Sequence, residues 1–174
     1  MNRKKIVVNE FHIPPIKLWA DQWLLLAAGD YQKKSYNFMT VAWGGFIVMW
    51  GKPAVMVVVR PSRHTFGYIE KYDTFTLSAF TPEFREKLLL CGSKSGRDFD
   101  KIKHSGLTPS SAEKVNCPVF SEAELIIECK KIYSEDFNPK NFIDADIAKQ
   151  YNGGDYHKMY FGEILHIEGT EKYC

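Results

Sequence analysis

Arg60-Pro-Ser-Arg-His-Thr65 places two guanidinium groups and two hydroxyls where a β-branched run ends and a helix is expected to begin. Free N–H groups and the positive dipole end at a helix start favour anions. Arg60 or Arg63 could grip a phosphate through two parallel hydrogen bonds, with Ser62 and Thr65 as neutral donors. A capped helix with solvated arginines would read the same way. Gly92-Ser-Lys-Ser-Gly-Arg-Asp98 is a second cluster of donors, with Lys94, Ser95 and Arg97 between glycines that free the backbone to turn toward an anion. Its Gly-Lys-Ser/Thr order is wrong for a nucleotide-binding P-loop, and ordinary surface loops share its composition. Asn37-Phe-Met-Thr-Val-Ala-Trp43 runs into Gly44-Gly45 and then Val48-Met-Trp-Gly-Lys-Pro53. Strand alternation puts Asn37, Met39, Val41 and Trp43 on one face and Phe38, Thr40 and Ala42 on the other. The following glycines would let a flat ring approach the backbone, walled by Trp43, Met49 or Trp50, although core packing also accounts for these residues. Gly153-Gly-Asp-Tyr-His157 offers one histidine at the start of a strand, a position open to a ligand or to a structural hydrogen bond.

The elements that must carry these groups are mostly strands. Trp23 to Tyr31, Asn37 to Trp43, Phe46 to Trp50, Ala54 to Val59, Thr74 to Phe80, Glu124 to Tyr133 and Lys158 to Ile167 are short β-rich runs separated by turn residues. The continuous run Ala54 to Val59 suits a strand buried on both faces. Helices are expected from Ser62, as N-cap, through Lys71; from Pro82 to Leu90; and from an Asp98 cap through His104, stopped by Gly106. Strands in close succession, with helices only in connections, define a mainly β fold and not a doubly wound parallel sheet.

The chain has 174 residues with 23 Lys plus Arg against 21 Asp plus Glu, a net charge of +2. The length fits one domain, 1–174, and the near balance of charge argues against a dedicated nucleic-acid binder. No apolar run approaches the roughly 20 residues of a membrane span. The opening MNRKKIVVNEF lacks the apolar region of about 7–15 residues of a signal peptide, so a cytoplasmic location is expected. Cys91, Cys117, Cys129 and Cys174 form no C-x-x-C pair and the histidines no i, i+4 pair, so no metal site is expected. G-x-G-x-x-G, a Walker A loop and G-x-S-x-G are all missing, which removes the main support for a Rossmann dehydrogenase, a P-loop NTPase or an α/β-hydrolase. With 12 Phe, 9 Tyr and 4 Trp, aromatics are abundant, as strands and flat-ligand pockets both require.

Taken in order, N-x-M-T-x-x-W-G-G, W-G-K-P, R-P-S-R-x-T, D-x-F-x-L-S, G-S-K-S-G-R-D and G-G-D-Y-H-x-M-Y-x-G-E resemble the flavin reductase-like family with an FMN-binding split β-barrel, particularly its flavoredoxin-like branch. The resemblance spans about residue 20 to about residue 167. It implies a six-stranded antiparallel Greek-key barrel with helical insertions, and a homodimer with FMN near the subunit interface. It implies that Asn37, Met39, Thr40, Val41, Ala42 and Trp43 border the flavin ring and ribityl chain. By the same resemblance Arg60, Ser62, Arg63 and Thr65 hold the phosphate, Lys94, Ser95 and Arg97 flank it, and His157 sits near the ring as the one catalytic candidate. The implied activity is hydride transfer from NADH or NADPH to the flavin, with reducing equivalents passed to a flavin or protein acceptor. No side-chain nucleophile is needed, because the cofactor carries the chemistry. A flavoredoxin-type electron carrier without nicotinamide turnover and a non-catalytic flavin-binding module are the alternatives. A pyridoxamine-phosphate oxidase-like enzyme is a more distant one.

Overall fold

The computed structural model describes residues 2–151 and 153–174. Its strands are β1 (Lys4–Lys5), β2 (Leu24–Asp30), β3 (Ser35–Val41), β4 (Gly44–Met49), β5 (Lys52–Val59), β6 (Thr74–Ala79), β7 (Pro109–Ser111), β8 (Pro118–Phe120), β9 (Leu125–Asp136) and β10 (Lys158–Gly169). Helices α1 (Pro15–Lys17), α2 (His64–Lys71), α3 (Arg85–Ser93), α4 (Lys101–Ser105) and α5 (Ala145–Ala148) lie in the connections. The main sheet is antiparallel throughout, in the order β3-β2-β6-β9-β10-β5-β4, with β1 continuing the β5 side of β10. Strands β7 and β8 pair separately. The expected split barrel with helical insertions is present, with seven strands on the sheet path where six were expected. The sheet does not close, so β3 and β4 are edges.

Alternation along the strands builds two cores. Leu24, Leu26 and Ala28 of β2 join Met39, Val41, Val57, Phe75, Leu77 and Tyr160 inside the barrel. Leu25 and Ala27 face the opposite way, with Phe38, against Leu88 and Cys91 of α3 and Phe120 of β8. A strand buried on both faces is mostly apolar, which is why Trp23 to Ala28 reads as an unbroken run. Each fully buried Leu, Val or Phe contributes about 1.5–3 kcal/mol, so these two layers dominate the stability.

Turns and caps refine the sequence expectations. Trp50 (φ 52°) and Gly51 (φ 70°) form the two-residue β4–β5 hairpin, the positive-φ pair of a type I′ turn. The ring of Trp50 packs with Tyr133 and Phe161 on the outside of the sheet. Helix α2 starts at His64 behind Arg63, and the Ser62 hydroxyl does not cap it. The N-cap of α4 is Asp100, which accepts from Lys103 N–H, and not Asp98; Gly106 (φ 63°) ends that helix as expected. The Pro82 segment begins as a 3₁₀ turn, Pro82–Phe84, before α3.

Register shifts between β9 and β10 at Phe161/Gly162 and Ile164/His166 sharpen the twist of the two longest strands. Gly162 sits flat under the Phe75 ring, and a Cβ there would lie 2.6 Å from Phe75 Cε1 and 2.9 Å from Cys129 Cβ. Gly162→Ala should therefore destabilise the fold by about 1–3 kcal/mol, read from the urea midpoint. Gly45→Ala, where a Cβ meets nothing within 4 Å, should stay within about 0.5 kcal/mol of the parent. Equal midpoints for the two variants would show that the β10 bulge accommodates the methyl group.

Candidate functional site

Two adjoining cavities, of about 430 and 250 Å³, open beside the β3 edge and share Met39, Arg60 and Arg63 as a common wall. The larger is lined by Arg60, Ser62, Arg63 and Thr65 from the start of α2, and by Ser93, Lys94, Ser95 and Arg97 after α3. The two donor clusters, about thirty residues apart in sequence, thus face one space. Its cations are Arg60, Arg63, Lys94, Arg97 and Lys101, and among the described residues no carboxylate lines it. The smaller cavity is lined by Thr40, Val41, Ala42, Trp43, Val58 and His157.

Local packing fixes each donor. Thr65 is 1% exposed, and its Oγ1 accepts from Asn37 Nδ2 at 2.8 Å, which leaves the hydroxyl proton free for an acceptor in the cavity. Asn37 itself lines neither cavity. It is a positioning residue, and Gly96 is the place where a Cβ would strike its carboxamide. The Thr40 hydroxyl donates to Leu88 O of α3 at 2.5 Å, and Gly92 passes close to the Thr40 side chain. Arg63 donates to Gly92 O at 3.0 Å and Arg97 to Ser62 O at 3.2 Å, so each cluster braces the other.

Two of the expected phosphate donors are already engaged by the segment before β10. Ser62 N–H and Oγ both donate to the Asp155 carboxylate, at 3.1 and 2.5 Å. Arg60 donates to Gln150 O at 3.0 Å and Asp155 O at 3.3 Å, and its guanidinium lies over the Tyr151 ring. The donors left to an anion are Arg63, Thr65, Lys94, Arg97 and the backbone between them.

At the other cavity Trp43 is 48% exposed, and its ring centroid is 4.9 Å from that of His157. His157 is 8% exposed, with Nδ1 2.9 Å from the Tyr151 hydroxyl. Burial, reinforced by Arg60 and Arg63, pushes its pKa down to about 4, so the ring is neutral at physiological pH. Burial also raises the Tyr151 pKa, which keeps that hydroxyl protonated. Trp50 and Met49 line neither cavity, so of the three residues considered for a ring wall only Trp43 stands there.

Several lining groups escaped the sequence reading. His64 and Cys91 are among them, and Lys101 is the most consequential. Lys101 lies in a Lys-Ile-Lys-His stretch that looks like a solvated helix face. The one hint is that Lys101 and Ser105, an i, i+4 pair, are both buried. Tyr151 and Asp155 belong to a segment with little periodicity to mark it.

An open antiparallel barrel with helical insertions in its connections defines a split-barrel fold. The sequence matches the flavin reductase like domain over residues 21–173, and the chain belongs to that family. An uncharacterised protein of Pyrococcus abyssi is 28% identical over 122 residues, 67% of this chain and 70% of the relative. Similar solved structures include an FMN-binding domain of a flavin reductases-like enzyme from Shewanella baltica, with a TM-score of 0.69, 19% identity, and coverage of 97% of this chain and 77% of that one. The flavoredoxin of Methanosarcina acetivorans has a TM-score of 0.68 at 23% identity, covering 98% and 77%. The flavoredoxin of Desulfovibrio vulgaris has 0.67 at 22%, covering 92% and 75%.

The depressed pKa of His157 couples the site to stability. Its folded pKa of about 4 lies below the ordinary 6.5, so the neutral ring stabilises the fold fully above about pH 6.5 and loses that contribution as pH falls toward 4. The shift corresponds to up to about 3 kcal/mol. His157→Gln should flatten the fall in Tm between pH 6.5 and 4 in differential scanning calorimetry. An unchanged slope in the variant would place the acid lability elsewhere.

Proposed function

We propose that this chain is an FMN-binding oxidoreductase that takes hydride from NADH or NADPH and hands the reducing equivalents to a flavin or protein acceptor. The observation that carries the reading is the pair of joined cavities: five cations among the lining at one end, and a strand edge with Trp43 and neutral His157 at the other. FMN has that polarity, a phosphate dianion joined by a polyhydroxy chain to a flat ring. The residues present fit it. Arg63, Arg97 and Lys94, with the Thr65 proton, supply charged and neutral donors for the phosphate. Each charge-assisted bond contributes about 1.5–3 kcal/mol, so three or four reach micromolar affinity.

The ring end fits through backbone. Phe38 O points away from β2, toward Lys101. Thr40 shares its parity along the strand, so its N–H and C=O groups face outward at the smaller cavity, as the hydrogen-bonding edge of a flavin requires, and Ala42 lines the same cavity just beyond the end of β3. Bound there, FMN supplies the hydride and electron chemistry. The chain's part is to hold the phosphate, to seat the ring against β3, and to keep water from one face with Trp43. His157, neutral and held by Tyr151, serves as a hydrogen-bonding group to the ring or its partner.

The same reading includes a homodimer. Trp43, Val48 and Trp50 are exposed apolar groups on and beside edge strand β4, which a second chain would cover. A paired chain would also close the smaller cavity on its open side.

Three measurements test this. Anaerobic addition of NADH or NADPH to the flavin-loaded protein should bleach the visible flavin band at a catalytic rate. Bleaching by dithionite alone would make the protein an electron carrier, and a chain that takes up no flavin would overturn the whole reading. Arg97→Ala should weaken FMN binding by about 1–3 kcal/mol in a fluorescence titration while leaving riboflavin binding unchanged. Sedimentation equilibrium at micromolar concentration should give twice the 20.1 kDa chain mass, and a clean monomer would remove the shared-pocket part of the proposal.

A further inference from the structure

Strand alternation alone would send His166 and Glu168 into the barrel behind Ile164. Ile164 of β10 packs in the core, and so does Ile167. The register shift between Ile164 and His166 makes Leu165 the extra residue of a β-bulge. The bulge turns His166 and Glu168, which share one side of the strand, onto the outer face of the sheet. There the connection between β7 and β8 meets them. Glu128, the β9 partner of His166, is 1% exposed and holds that connection in place. Its carboxylate accepts from the backbone N–H groups of Glu113, Lys114 and Val115, at 2.8, 2.6 and 3.1 Å. Glu113 is thereby set against the imidazole.

Three side-chain atoms converge there. His166 Nε2 lies 3.2 Å from Glu168 Oε1 and 3.2 Å from Glu113 Oε2. The His166 side chain is 1% exposed, and its Nδ1 has no hydrogen-bond partner. Among the described residues the buried ring is thus aimed at these two glutamates and is otherwise unpartnered. One Nε2 proton points in one direction and serves one carboxylate, and hydrogen-bond geometry is met toward Glu168. Glu113 stands equally close with no proton to accept. A tetrahedral metal shell with bonds of about 2.0–2.1 Å has ligand–ligand edges of about 3.3–3.4 Å, which both nitrogen–oxygen separations approach.

The outward oxygens are tied separately. Glu113 Oε1 pairs with Lys114 Nζ at 2.8 Å, and Glu168 Oε2 with Arg3 Nε at 3.4 Å. Each carboxylate offers one oxygen inward and is oriented from outside, as metal-ligating carboxylates are. The Lys114 ammonium holds the Glu113 carboxyl below its ordinary pKa, so that group is ionised at neutral pH. Glu113 is exposed, which leaves a way in for an ion and a place for water as the fourth ligand.

We infer that Glu113, His166 and Glu168 bind one divalent transition ion, of which Zn²⁺ best suits a tetrahedral nitrogen–oxygen set, and that the ion pins the β7–β8 connection to β10. None of the three lines the cavities beside β3, so the site is independent of the flavin reading. No local motif marks it, because one ligand comes from a connection and a bulge is needed to bring the other two outward.

The test uses the full chain, stripped with a chelator and dialysed, with Zn²⁺ followed by calorimetry and Co²⁺ by its visible spectrum. Expected are one Zn²⁺ per chain at micromolar affinity, the intense ligand-field bands of tetrahedral Co²⁺, and a Tm that rises with added Zn²⁺. Glu113→Gln, at an exposed position, should weaken Zn²⁺ binding by about tenfold or more and cancel the rise in Tm, and His166→Gln should abolish both. Cys174→Ser, which removes the exposed thiol, should bind Zn²⁺ as the parent does. No uptake at micromolar Zn²⁺, weak octahedral Co²⁺ bands, or undiminished binding by Glu113→Gln overturns the site. Loss of the ion in Cys174→Ser also overturns it, by assigning the metal to the thiol. If His166→Gln does not fold, Glu113→Gln and the Co²⁺ spectrum decide.

Discussion

An edge strand leaves every second backbone N–H and C=O without a ladder partner, and β3 is such an edge at the place where the site forms. The fold answers this differently along the strand. At Phe38 the Lys101 ammonium covers the carbonyl from the side. At Thr40 the side chain is drawn onto Leu88 O, which brings α3 against the edge. Beyond that point Thr40, Val41 and Ala42 line the smaller cavity. The edge is thus covered at one end and open at the other.

The cations follow from the same constraint. Five of them around one cavity would repel one another, and lining carboxylates would be the usual remedy. Here most are tied to backbone carbonyls: Arg63 to Gly92, Arg97 to Ser62, Arg60 to Gln150 and Asp155, and Lys101 to Phe38 and Cys91. Carbonyls satisfy donors without neutralising charge, so the positive potential of the cavity survives. Among the described residues Asp155 is the one acid paired with this group, and it binds Ser62 and Arg60 from the segment before β10. That arrangement sets which cations are bound structurally and which stay available.

How much of this was legible follows from the range of each interaction. The strands were readable because two-sided burial writes unbroken apolar runs and one-sided burial writes alternation. The boundaries shifted by one to three residues, since pairing and not side-chain type decides where β9 and β10 end. The clusters at Arg60–Thr65 and Lys94–Arg97 were readable as local chemistry, but their convergence depends on α3 crossing β3, which no local pattern encodes. Asn37, expected to border a flavin, lines neither cavity and donates to Thr65. The Ser62 cap failed for a related reason: a carboxylate 93 residues away competes for the hydroxyl. Lys101 was hidden because its neighbours in sequence read as a solvated face, whereas its ammonium meets the backbone carbonyls of Phe38 and Cys91.

One contact joins the two ends of the site. The Arg60 guanidinium belongs to the shared wall of both cavities and lies over the Tyr151 ring, whose hydroxyl meets His157 Nδ1. Arg60 also contributes to the depressed pKa of that histidine. Burial keeps the histidine neutral, and the arginines of the larger cavity reinforce it. Neutral imidazole with one nitrogen bound to Tyr151 presents a single remaining ring nitrogen to the cavity, where an imidazolium would add a sixth positive charge beside the cations already there. The two cavities are thus coupled electrostatically through Arg60 and Arg63, which add to what burial already does to the histidine.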